Sequence, residues 1–266
     1  MSKKQDLQHE IRELDALVEL AQDFLDRGGS PLSSLRMGVR PDTLAERCLE
    51  RKNLSFLLKR LGGSFRGKAL VVAAGLGREG HLLLEAGFQE VHLLDLSLSG
   101  VNHGLKVLRQ AYPDRKIHAL AGDFTSMPYS DGFFDIALAY QGLHHLPDQV
   151  QGAAELIRVS RKAFILSEPA RLGGFMGTLM NLLGWNTEYG GLETGRIDPV
   201  ALASELQKMG FQVEFERIWQ YFPACLSNFA KNGRFVAAWF AMLSVLDRFL
   251  PPEMAHATNI FIKRRG

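Results

Sequence analysis

Several things are scarce in this 266-residue chain, and each scarcity excludes something. There are two cysteines, Cys48 and Cys225, far apart in sequence, so neither a disulfide scaffold nor a cysteine metal cluster is expected. No metal site is read from residue spacing. The net charge is only +2, which gives no electrostatic footprint for nucleic acid. The longest apolar run, 235–246, is too short to cross a bilayer, and the charged start MSKKQDLQHEIREL does not read as a signal peptide. A cytoplasmic protein without a transmembrane segment is expected. Internal repeats and low-complexity stretches are absent. What remains is a globular composition, 46% hydrophobic and 23% charged, in a chain long enough for one sizeable domain with additions.

The most informative stretch is 68–97. Lys68–Ala74 is an unbroken apolar run after its first residue, the pattern of a parallel strand buried on both faces. Gly75-Leu76-Gly77-Arg78-Glu79-Gly80 follows, then a helix predicted over His81–Ala86 and closed by Gly87. A second run, Val91–Leu94, ends on Asp95, twenty residues after Gly75. Glycines allow a left-handed turn and close approach of a ligand to the backbone, and a helix start offers unpaired N–H groups. An acid at the next strand tip accepts from ribose hydroxyls. Together these predict a site for an adenosine-containing cofactor at the carboxyl ends of parallel strands. The Gly75–Gly80 spacing alone also fits a dinucleotide.

Around this stretch the pattern predicts helices over 5–27, from Pro31, and over Pro41–Leu61, the last with Leu44, Cys48, Leu54, Leu57, Leu58 and Leu61 inward. Strands then alternate with helices: a helix over Ser97–Tyr112, strands at Lys116–Leu120 and Phe134–Tyr140, a loop over Gln141–Asp148 and a helix over Gln149–Ser160. A strand at Lys162–Ser167, a helix over Asp198–Met209 and strands at Phe211–Trp219 and Thr258–Lys263 complete the pattern. The expected fold is α/β, a Rossmann-like, doubly wound, mostly parallel seven-stranded sheet. Residues 1–65 form an N-terminal helical extension, 66–170 the cofactor-binding core, and 171–266 the rest of the sheet. Two apolar, aromatic stretches, about 171–195 and 220–257, are expected to build a substrate lid.

Four motifs carry a resemblance: Gly75-Leu76-Gly77, Asp95, Gly122-Asp123-Phe124, and Phe133-Phe134-Asp135-Ile136 leading to Gly142-Leu143-His144-His145-Leu146-Pro147-Asp148. On these the chain resembles the class I S-adenosylmethionine-dependent methyltransferases of the small-molecule type, in an "LHHLPD" subgroup. The resemblance implies S-adenosyl-L-methionine as cofactor, held by Ala74, Gly75, Gly77, Arg78, Asp95, Leu96, Asp123, Phe124, Tyr140 and Gln141. Within that set Gly75 and Gly77 would face the methionine moiety, Asp95 the ribose, Asp123 and Phe124 the adenine, and Gln141 the reacting sulfonium. His144 and His145 are the candidate catalytic bases. The implied partner is a small, apolar acceptor methylated at O, C or N, and a homodimer is open.

The family's acid two residues before the first glycine is replaced by Ala73, and its third glycine falls at Glu79. Arg78 and Glu79 are candidates to hold the methionine carboxylate and amine instead. Ala139-Tyr140-Gln141-Gly142 stands where an Asn-Pro-Pro-Tyr string would mark amide or base-amine methylation. His81 is expected at the surface or capping its helix, Asp135, near the start of its strand, fixing a turn rather than touching ligand, Glu168 in either a structural or a substrate role, and Tyr140 and Tyr189 near an acceptor. Two other readings stay open: an NAD(P)-dependent oxidoreductase, and a non-catalytic binding or regulatory protein on the same fold.

Overall fold

The computed structural model describes residues 3–37, 44–62, 67–171, 196–218, 229, 231–249, 255 and 257–265. Most of the stretch 171–195, with Tyr189, lies outside them, as do residues 220–228, 230, 250–254 and 256 of the stretch 220–257. The elements run α1 (Lys3–Asp26), α2 (Pro31–Ser34), α3 (Leu44–Leu61), β1 (Lys68–Val72), α4 (Arg78–Glu85), β2 (Glu90–Asp95), α5 (Leu98–Ala111), β3 (Lys116–Ala121) and β4 (Phe134–Tyr140). They continue with a 3-10 turn at Leu143–His145, α6 (Gln149–Val159), β5 (Ser160–Pro169), α7 (Pro199–Lys208), β6 (Phe211–Ile218), α8 (Gly233–Phe249) and β7 (Ala257–Arg264).

The seven strands form one sheet in the order β3-β2-β1-β4-β5-β7-β6. β1 pairs in parallel with β2 and β4, and β2 with β3, while β7 runs antiparallel to β5 and β6. This is the α/β, Rossmann-like sheet expected from the alternation of strand and helix patterns. The chain divides into two compact units, one of residues 1–42, 60–140 and 155–161, the other of 43–59, 141–154 and 162–266.

In the first unit, Ala69–Val72 and Val91–Leu94 are all buried, His92 among them. The strands between other strands therefore read as continuous apolar runs rather than alternating ones. α1 has Ile11, Leu14, Val18 and Leu25 half-buried and Ala21 fully buried. It ends where Gly28 takes φ +83° and Gly29 donates to the Phe24 carbonyl. Asp135 lies near the start of β4 as expected, and its Oδ2 accepts from Lys68 N–H at 2.9 Å at the beginning of β1.

In the second unit, the buried face of α3 is Ala45, Leu49, Asn53, Phe56 and Leu57; of the positions expected inward, Leu44 is exposed and Cys48, Leu54, Leu58 and Leu61 are only partly covered. The reason is a polar partner that helical periodicity does not reveal. Asn53 Oδ1 accepts from Asn259 Nδ2 at 3.1 Å, so an asparagine takes a core position with its hydrogen bond satisfied. α7 is started by Asp198, whose carboxylate accepts from the N–H groups of Val200 and Ala201.

Arg158 is the strongest polar tie of the first unit. It donates to Glu155 and Asp131 and to the carbonyls of Met127 and Tyr129. Burial acts to raise the Glu155 carboxyl, but the hydrogen bonds from Arg158 and from Met127 N–H outweigh it and hold it below its ordinary value. Its contribution is therefore full above the unfolded-state value of 4.5 and is lost as pH falls through the lower folded-state value. Replacing Arg158 with Met removes these donors from two carbonyls and should cost about 1–3 kcal/mol. Urea unfolding at pH 7 checks this, and the loss of stability of the wild type below pH about 4.5 should be blunted in the variant.

Candidate functional site

The glycine turn leaves β1 through three left-handed residues in five, Ala73 (φ +48°), Gly75 (φ +49°) and Gly77 (φ +90°). An alanine in that region is strained, and the hydrogen bonds on either side hold it there. Ala74 N–H donates to the Leu94 carbonyl at 3.2 Å, and Gly77 N–H to the Ala74 carbonyl at 2.7 Å. Gly77 is the N-cap of α4. The helix begins three residues earlier than periodicity predicts, so Arg78, Glu79 and Gly80 form its first turn instead of lengthening the loop. A Cβ on Gly80 would lie 2.8 Å from Leu93 Cδ2, so the third glycine serves to seat α4 against β2. α4 ends at Ala86, with Gly87 at φ +109° as expected.

Asp95 is buried at the tip of β2. Its Oδ2 accepts from Gly75 N–H at 2.8 Å and its Oδ1 from Ser97 N–H at 3.0 Å. The carboxylate thus braces the glycine turn from within. Ser97 then caps α5, accepting from Gly100 N–H at 3.0 Å. α5 packs unusually close to the turn. A Cβ on Gly100 would lie 3.0 Å from the Gly75 carbonyl oxygen, and one on Gly104 would lie 2.7 Å from that of Leu76. These two glycines, four apart on one helix face, were not singled out by motif reasoning; their spacing is the signal.

α1 lies on the same turn. Leu14 Cδ2 would be 3.8 Å from a Cβ on Gly75, and Asp15 Oδ1 accepts from the hydroxyls of Ser97 and Ser99. α2 is tied to α5 through Ser34 Oγ and His103 Nε2, 2.9 Å apart. The N-terminal helices α1 and α2 therefore belong to the walls of this unit.

The other predicted residues divide as follows. Arg78 pairs with Glu79 Oε1 through Nε at 2.7 Å and Nη2 at 2.5 Å, and its guanidinium lies 4.9 Å from the centre of the Tyr140 ring. Arg78 and Tyr140, sixty-two residues apart, thus meet beside the glycine turn. Leu96 is half-buried, Phe124 buried and Asp123 exposed. Asp123 Oδ1 accepts from the N–H and hydroxyl of Thr125, both at 2.8 Å, holding the turn after β3. His81 is not at the surface. It is half-buried, with Nδ1 2.7 Å from the Tyr112 hydroxyl.

In the second unit, Gln141 is left-handed (φ +52°), donates its N–H to the Leu166 carbonyl and its Nε2 to Ser167 Oγ at 3.1 Å. Glu168 is fully buried and organises the loop that follows. Its carboxylate accepts from the N–H groups of Gly142 and Leu143 at 2.8 Å and His144 at 3.3 Å, and from His144 Nδ1 at 2.6 Å. A carboxylate accepts only, so Nδ1 carries a proton, and in the neutral ring Nε2 holds the lone pair. His144 is buried and His145 exposed, their rings 4.0 Å apart.

Residues 70–166 match the family model described as a methyltransferase domain. The demethylmenaquinone methyltransferase of Renibacterium salmoninarum is 35% identical over 94 residues, 35% of this chain. The match spans 37% of the length of that relative. Among solved structures, magnesium protoporphyrin IX methyltransferase from Synechocystis PCC 6803 with bound S-adenosylhomocysteine is similar at TM-score 0.55 and 12% identity, over 84% of each chain. Geranyl diphosphate C-methyltransferase from Streptomyces coelicolor A3(2) is similar at TM-score 0.57 and 13% identity, over 82% of this chain and 80% of that one. At these identities the likeness to both structures is one of fold.

Two substitutions separate the bracing contacts. Gly104→Ala forces α5 away from the Leu76 carbonyl and should cost about 1–3 kcal/mol in urea unfolding. Glu168→Gln removes a buried charge from a set of N–H donors and should cost about 2–4 kcal/mol. With the ties of the Gln141–His145 loop weakened, its amides should also exchange faster with deuterium.

Proposed function

We propose that this chain is an S-adenosylmethionine-dependent methyltransferase acting on a small, apolar acceptor at O, C or N. The observation that carries the reading is the coupling of a left-handed glycine turn, the N-terminus of α4 and a buried acid at the tip of β2. The turn lies inside the segment that matches the methyltransferase domain. The residues fit the adenosine part of the cofactor. Gly75 and Gly77 keep the turn clear of side chains, and Asp95, at the tip of β2 where it braces Gly75, is assigned to the ribose hydroxyls. Phe124 and the exposed Asp123 are the adenine contacts in this reading, with Ala74 and Leu96 completing the backbone lining.

The methionine end has its own solution. Ala73 carries no carboxylate, and the buried Arg78–Glu79 pair at the start of α4 supplies both charges instead. Glu79 takes the amine and Arg78 the carboxylate, with Tyr140 supporting the guanidinium by cation–π contact.

When bound, the cofactor supplies a methyl group already activated on a sulfonium. The chain's task is to hold the acceptor in line and exclude water, so positioning supplies much of the rate. Gln141, directly after β4, is assigned beside the transferring methyl. An acceptor with a proton on the reacting atom needs a base, and His144 is assigned that role because Glu168 fixes its lone pair on Nε2. His145 lines the same loop. The apolar character of the acceptor is supported by the names of the similar proteins, whose demethylmenaquinone and geranyl diphosphate are hydrocarbon-rich.

Calorimetric titration with S-adenosylmethionine, S-adenosylhomocysteine and NADH tests the proposal. Binding of the first two on the order of micromolar, about −8 kcal/mol, without NADH binding is the expected result. Glu79→Gln should weaken both by about tenfold or more. Binding of NADH alone would replace the reading with an oxidoreductase, and cofactor binding with no methyl transfer to any quinone, phenol or prenyl acceptor would make the chain a non-catalytic binder.

A further inference from the structure

A second group of chemistry-bearing side chains lies in the first unit, at the other end of β2 from the glycine turn. Glu90 and His92 are two apart on β2, so their side chains leave the same face of the sheet. β3 pairs with β2 in parallel register, with His118 directly beside His92 and Lys116 beside Glu90. Three residues of metal-ligating types are thereby gathered on one face, and one ligand atom from each of Glu90, His92 and His118 lies within 4.8 Å of the others. His92 Nε2 is 2.9 Å from Glu90 Oε1, and the two imidazoles stack with centroids 4.3 Å apart.

We propose that Glu90, His92 and His118 form a binding site for one first-row divalent transition-metal ion of the zinc, nickel or copper class.

Two imidazoles and a carboxylate are the donor set such ions prefer over calcium or magnesium. Ligand atoms about 2.1 Å from an ion stand about 3.4 Å apart around a tetrahedron. The observed spread needs a movement of about 1 Å, and the movable arm is the one on the rim. His118 is exposed on β3, the edge strand, where its ring turns at little cost. His92 is held by aromatic edges, with Phe134 at 5.0 Å and Tyr129 at 5.8 Å between ring centres.

Lysines oppose the ion. Lys68 Nζ is 3.3 Å from Glu90 Oε1 and 3.9 Å from the centre of the Phe133 ring, and Lys116 stands opposite Glu90 in the register. Their repulsion limits the affinity to the micromolar range, well short of a closed structural zinc site. A bound ion ties the edge strand β3 to β2. The site lies about 10 Å along β2 from Asp95, three residues at strand rise, and is independent of the cofactor.

The test uses the tag-free full chain, stripped with chelator and titrated with zinc by calorimetry and with cobalt by visible absorption. One equivalent should bind with micromolar affinity, cobalt should give the d–d bands of a low-coordinate nitrogen–oxygen site, and zinc in hundredfold excess over Kd should raise Tm by about 5 °C. His118→Ala, at an exposed position, should weaken zinc at least tenfold, as should Glu90→Gln. His9→Ala removes a histidine–carboxylate pair outside the site, His9 with Glu13 on α1, and should leave binding unchanged. No saturable binding, or binding that survives His118→Ala and Glu90→Gln, overturns the proposal.

Discussion

The carboxylate of Asp95 is shared between two backbone amides that lie twenty-two residues apart, Gly75 and Ser97. One bond holds the turn that leaves β1, and the other starts the α5 helix that packs on that turn. A buried carboxylate is costly without partners, and here both oxygens have them. Everything near the turn inherits this arrangement. Ser97 is placed to cap α5, Gly100 and Gly104 let α5 close on the turn, and Asp15 of α1 reaches the hydroxyls of Ser97 and Ser99. The same acid that is proposed to hold a ribose is therefore already holding the walls of its site.

Glu168 plays the corresponding part in the second unit. One buried carboxylate collects three backbone N–H groups and the His144 ring, and so sets the loop after β4 and the tautomer of its histidine together. Its two expected roles reduce to the structural one in the contacts it makes, while its consequence for His144 is chemical. Ser167 beside it is left-handed at φ +60°, with its N–H received by Asn259 Oδ1 at 2.8 Å. Asn259 in turn reaches Asn53 on α3, so a satisfied polar network runs through the interior of this unit.

The departures from the methyltransferase pattern have a common physical reading. Ala73 removes the usual acid yet keeps the left-handed backbone that the turn requires. Glu79 and Arg78, which look out of place in a glycine loop, are the first turn of a helix, where an acid is favoured by the helix dipole. Charge has moved from the strand end to the helix start without a change in the turn.

Much of the fold was legible in the sequence because buried parallel strands are continuous apolar runs and helices carry a 3.6-residue period. β4 falls on the predicted residues, and α5 and α7 begin one residue inside their predicted starts, Ser97 and Asp198. The glycine turn and Asp95 were legible for the same reason, since local backbone chemistry restricts which residues can stand there. Contacts that depend on two distant segments were not. The buried Asn53, the pairing of His81 with Tyr112, the meeting of Arg78 with Tyr140 and the fit of Gly104 against Leu76 each need a partner that periodicity cannot name. The Glu90–His92–His118 set belongs with them, because only the β2–β3 register puts residues twenty-six apart in sequence side by side. Sequence alone determined the order of elements and the glycine turn, through short-range sterics and hydrophobic period. Tertiary structure decided which polar groups are buried, because that is allowed only where another segment supplies the partner.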